Sequence, residues 1–80
     1  MMIFDYTASA ELFAAALRPG QRRALAYRRF PTAAEAIQYA IEAIPAPLLS
    51  GTVLEVGEDR YDARLIRELY DNAAYPLSRS

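Results

Sequence analysis

Five arginines crowd one stretch of the chain, Arg18, Arg22, Arg23, Arg28 and Arg29, with Tyr27 set among them. A guanidinium group presents a planar fork of donors that matches a carboxylate or a phosphate bidentately. A tyrosine ring beside it adds a flat surface on which a base or another side chain can stack. The chemistry open to these residues is recognition: contact with an acidic protein partner, or with the phosphates and bases of a nucleic acid. Two features argue against nucleic acid. The isoelectric point of the chain is near 5.3, the reverse of a basic footprint, and no recognition-helix, zinc-finger or aromatic sheet-platform signature accompanies the arginines. The plainer reading is a solvated loop, or ion pairs with Glu55, Glu58, Asp59 and Glu68 of the same chain.

Catalysis finds little to work with. Histidine, cysteine and tryptophan are absent, and so is lysine. The commonest general base and metal ligand, the thiol nucleophile and the amine of a Schiff base or P-loop are therefore missing. Glu55, Glu58, Asp59 and Asp62 gather carboxylate oxygens, but Asp59-Arg60-Tyr61-Asp62 lacks the alternating ligands and the sixth-position glycine of a calcium loop. A turn and a helix cap account for three of the four. Two carboxylates work as acid and base only in a cleft that raises one pKa, and 80 residues leave little room for one. The sequence predicts a non-enzymatic protein with no catalytic residue, no metal site and no cofactor.

Without cysteine there is no disulfide framework of the kind small secreted domains rely on, so a reducing cytoplasm is the expected location. The opening Met1-Met2-Ile3-Phe4-Asp5 lacks the basic start of a signal peptide. The longest uncharged run, Ala43 to Leu54, is broken by Pro45 and Pro47 and falls far short of the roughly 20 residues of a membrane span, so no membrane contact is expected. A composition of 54% hydrophobic and 24% charged residues belongs to the globular class, and residues 1–80 read as one domain. Charge divides unevenly within it. Residues 1–30 carry five arginines against Asp5 and Glu11, a net +3, while residues 31–80 carry four arginines against eight acids, a net −4, so the two parts attract.

The elements that must position these residues follow from periodicity. Thr32-Ala33-Ala34-Glu35 has capping-box spacing, and Ala33, Ile37, Ala40, Ile41 and Ile44 recur on one side of a helix that Pro45 and Pro47 stop. A second helix starts at the cap Asp62, with Tyr61 placed to staple onto Ile66 and with Leu65, Ile66, Leu69 and Ala73 on its apolar face. Arg64 with Glu68 and Arg67 with Asp71 have ion-pair spacing along it. Strands are predicted at Ala24 to Phe30 and at Thr52 to Val56, the latter turning through Gly57-Glu58-Asp59 into a short hairpin. Ser9 to Arg18 reads as a third, short helix, and Leu77 to Ser80 as a frayed tail after Pro76. Ile37, Ile41, Ile44, Leu54, Val56, Ile66 and Leu69 are the expected core. The tyrosines, six in all, read as core-edge residues in preference to interface residues.

Tyr27-Arg28-Arg29-Phe30, Thr32-Ala33-Ala34-Glu35-Ala36-Ile37, Leu54-Glu55-Val56, Arg60-Tyr61-Asp62, Ile66-Arg67-Glu68-Leu69-Tyr70, Tyr75-Pro76-Leu77 and the opening Met2-Ile3-Phe4-Asp5-Tyr6 are present together. In these motifs the chain resembles a family of short uncharacterised bacterial proteins. The likeness covers most of the chain. Ala14 to Ala24 departs from the more polar and basic stretch of that family. The resemblance implies no activity, cofactor or catalytic residue.

The expected architecture is α+β: a small two- to three-stranded sheet with two main helices packed on one face, and a short N-terminal helix. The expected function is a non-catalytic protein-binding or regulatory module whose partner the sequence does not name. A sheet of so few strands leaves edges with free N–H and C=O groups, which can pair with a partner or with a second copy as a homodimer. Nucleic-acid binding through Arg18 to Arg29 is the alternative.

Overall fold

The computed structural model describes residues 4–16 and 24–77. Strands β1 (Ala10–Ala16) and β2 (Ala24–Phe30) run antiparallel in a register that sets Leu12 opposite Arg28 and Phe13 opposite Tyr27. On its other side β1 pairs antiparallel with β3 (Val53–Val56), and β3 turns back into β4 (Asp59–Tyr61). The order is β2-β1-β3-β4. Helices α1 (Ala33–Glu42), α2 (Ala46–Leu49) and α3 (Ala63–Asp71) complete an α+β fold.

Four strands replace the expected two to three, and β1 is the segment predicted as a short helix. Ser9 to Arg18 is alanine-rich, but an isolated helix of about ten residues is marginal. As a strand, Ala10 and Leu12 turn to the core at 2% exposure each while Glu11 and Phe13 take the opposite face. Pairing with β2 along its whole length and with β3 at Glu11–Phe13 satisfies backbone groups of this strand, which local propensity cannot outweigh. The candidate residues Arg18, Arg22 and Arg23 lie outside the described residues.

Both predicted helix starts form. Thr32 Oγ1 accepts from the Glu35 amide at 3.2 Å and Asp62 Oδ1 from the Leu65 amide at 3.0 Å, each satisfying a first-turn N–H. α1 turns Ala33, Ala34, Ala36, Ile37 and Ala40 inward, and its alanines allow close approach to the sheet. Beyond α1, Pro45 is the N-cap of the short α2 and Pro47, expected only to stop a helix, sits in the first turn of this one, where the N–H a proline lacks would have no partner in the helix. The buried Thr52 donates its hydroxyl to the Leu48 carbonyl at 3.2 Å, closing that connection. In the β3–β4 hairpin Val56 faces Asp59, leaving Gly57 and Glu58 as the loop, and Gly57 supplies the φ of +62° that starts it.

All three helices pack against one face of the sheet, where Ile37, Leu54 and Ile66 are fully buried with Leu12. The other expected core residues, Ile41, Ile44, Val56 and Leu69, pack on this cluster from half-buried positions, because they stand at its rim. On α3, Ile66 and Tyr70 are buried, whereas Ala73 lies past the end of the helix and is exposed. Arg67 pairs with Asp71 at 3.3 Å. Arg64 and Glu68 form no such pair.

The chain after α3 also differs from expectation. Asn72 turns it back, its carbonyl accepting from the Tyr75 amide at 3.0 Å and its side chain from the Ala74 amide at 2.8 Å. Tyr75 is buried, donates its hydroxyl to the Ala34 carbonyl at 2.9 Å, and sets its ring against Tyr6 and Tyr70. Leu77 packs against the core instead of fraying, because Tyr75 anchors the segment. Residues 78–80 lie outside the described part. Tyr6 donates to the Leu69 carbonyl at 2.9 Å, and Phe4 bridges Tyr6 and Tyr61, so both ends of the described chain close on the helix pair.

Candidate functional site

The strand alternation sends the neighbours Arg28 and Arg29 to opposite faces of β2. Arg28 shares the helix side with Leu12, and Arg29 shares the other side with Glu11. That other side carries no helix among the described residues. One row across it reads Arg29, Glu11, Glu55, Arg60, and the next reads Tyr27, Phe13, Val53. Glu11 and Glu55 stand directly opposite each other, a like-charge pair that needs compensation. Arg60 provides it on one flank, donating from Nε at 2.9 Å and Nη2 at 2.8 Å to Glu55 Oε2. Tyr27 provides it on the other, donating its hydroxyl to Glu11 Oε2. That hydrogen bond raises the Tyr27 pKa above its ordinary value, with desolvation and the Glu11 charge adding to it. Tyr61 is also raised, by burial first and then by Asp59, while Asp5 is lowered by the hydroxyl and amide of Thr7.

On the helix side, the Arg28 guanidinium lies 5.1 Å from the Phe30 ring centroid and 4.8 Å from that of Tyr39. The two rings hold its plane by cation–π contact. Next to them runs a shallow groove of about 320 Å³ lined by Phe30, Glu35, Gln38, Tyr39, Glu42 and Ala43. Tyr70 donates to Glu42 Oε2 at 2.7 Å and so fixes its far wall.

Of the predicted site residues, Tyr27, Arg28 and Arg29 fall on one edge strand, with Tyr27 exposed at 54%. The ion pairs considered between the arginine cluster and Glu55, Glu58, Asp59 or Glu68 do not form for Arg28 or Arg29, and Glu55 takes Arg60 instead. Tyr61 takes the expected core-edge place and Tyr70 and Tyr75 are buried in the core itself, whereas Tyr27 and Tyr39 are the exposed large apolar residues among those described. Sequence reasoning missed Glu11, Phe13 and Tyr39 as members of this surface. The alternation Ala10, Leu12 against Glu11, Phe13 was the available signal for the first two.

Comparison of the chain with protein-family profiles, with curated proteins and with solved structures finds no match in any of the three. Among the described residues no helix is long and apolar enough to cross a membrane.

Proposed function

We propose that the protein is a non-catalytic protein-binding module of the cytoplasm, whose partner joins the sheet at the outer edge of β2. The observation that carries this reading is the strand order β2-β1-β3-β4, which puts a seven-residue strand at the margin of the sheet with nothing paired to its outer side among the described residues. Such an edge is a row of unmet N–H and C=O groups, and addition of an extended segment satisfies them. Affinity capture from native cells with the wild-type chain, and with an Arg28→Glu, Arg29→Glu variant of unchanged thermal midpoint, tests it. The wild type is expected to retain proteins that the variant loses. Identical captured sets would refute the reading.

A second reading, nucleic-acid binding, is supported by Tyr27, Phe13 and Arg29 lying together on a sheet face that no helix covers among the described residues. Glu11 and Glu55 in the same rows repel phosphate, so affinity no tighter than about 10 µM is expected at physiological salt, where specific complexes are far tighter. A sub-micromolar anisotropy titration, abolished by Arg28→Ala with Arg29→Ala, would promote this reading over the first.

A further inference from the structure

We infer that the segment added at β2 is an acidic one, carrying two consecutive carboxylate residues followed, in pairing order, by an apolar residue. The inference rests on the edge-pairing reading above and names the chemistry of the partner. A strand laid alongside β2 alternates its side chains in step with those of β2. The residue opposite Arg28 therefore points to the helix side, its neighbour opposite Arg29 points to the uncovered face, and the next, opposite Phe30, returns to the helix side. Arg28 and Arg29 have no ion-pair partner among the described residues, as is true of Arg64 on α3, but they alone of these three stand side by side on the sheet edge. Adjacent acids in the incoming strand meet both guanidinium groups, one from each face of the sheet.

The helix side adds a further preference. Arg28 is held over Phe30 and Tyr39, so its donors are oriented before any partner arrives and less freedom is lost on pairing. At the level of Phe30 the incoming side chain meets the mouth of the groove, whose Phe30, Tyr39 and Ala43 suit an apolar group. Glu35 and Glu42 on the same groove repel a third acid there. The edge therefore distinguishes acid-acid-apolar from an all-acidic run and from a basic strand. A second copy of the β2 segment, Ala24–Phe30, carries no carboxylate to offer either arginine and is the poorer occupant.

The test is an NMR titration of the full-length, 15N-labelled chain with peptides of about ten residues, long enough to span the strand. One peptide has Val-Glu-Glu at the centre of a Ser/Thr frame, the order in which a strand antiparallel to β2 sets its acids opposite Arg29 and Arg28, and a second has Val-Lys-Lys in the same frame. The acidic peptide is expected to shift and protect the amides of Ala24–Phe30, and the basic peptide to leave them unchanged. Arg28→Gln and Arg29→Gln are each expected to weaken the acidic peptide roughly fivefold, in line with loss of one exposed ion pair. Raising the salt should do the same. Equal binding of both peptides at β2, or acidic-peptide binding indifferent to both substitutions, would overturn the acidic preference while leaving edge pairing intact. No change at β2 with either peptide at millimolar concentration would overturn both. Concentration-dependent β2 shifts without peptide would make a second copy the occupant and refute the inference.

Discussion

Replacing Tyr75 tests the least expected part of the fold. The ring is 6% exposed and wedged between Tyr6 and Tyr70, with centroids 5.8 and 5.1 Å away, and the hydroxyl reaches the Ala34 carbonyl from 41 residues along the chain. Tyr75→Phe deletes only that hydrogen bond and should cost about 1 kcal/mol, the usual net contribution of such a bond. Tyr75→Ala also removes the ring and leaves a void, which should cost about 3 to 5 kcal/mol. At 0.05 to 0.15 kcal/mol per residue, a chain of this length has roughly 4 to 12 kcal/mol in total, so the alanine variant forfeits a large share of it. Urea titration measures both variants, and thermal scans should show the phenylalanine variant melting about 4 to 8 °C lower. If the phenylalanine variant matched the wild type and the alanine variant lost less than about 1 kcal/mol, the 72–77 segment would not lie on α1. The account of the C-terminal anchor would then be wrong.

Leu12→Ala should cost about 2 to 4 kcal/mol and Phe13→Ala distinctly less, because a strand separates these neighbours onto buried and uncovered faces; equal losses in urea titration would favour the helix that local propensity suggests. Thr32→Ala and Asp62→Ala should each destabilise by about 1 kcal/mol, and the double variant by their sum, since the caps serve different helices; marked non-additivity would show that they share structure. Ultraviolet titration should find Tyr27 ionising above the usual tyrosine value of about 10, with its share of the late titration removed by Tyr27→Phe and shifted downward by Glu11→Gln while Tyr61 still ionises late. Because folding raises this pKa, its stabilising contribution is complete below the unfolded value and is lost as pH climbs through the folded one. Alkaline unfolding of Tyr27→Phe that matched the wild type throughout would remove that linkage.

Helix starts and the β3–β4 turn were readable from the chain because each depends on neighbours a few positions away. Thr32 and Asp62 cap within three residues of themselves, and Gly57 supplies its own positive φ. Residue type alone singled out the arginine cluster as a candidate for recognition. What tertiary structure decided was everything that needs distant partners. Ala10–Ala16 is locally fit for a helix and becomes a strand because β2 pairs along its length and β3 meets Glu11–Phe13 from the other side. Pairing register, not composition, sends Arg28 to the aromatic pair and Arg29 to the uncovered face, and it sets Glu11 against Glu55. Tyr75 finds the Ala34 carbonyl only once both helices are packed. Local propensity differences amount to tenths of a kcal/mol per residue, whereas pairing and burial contribute whole kilocalories, so long-range contacts decided wherever the two disagreed.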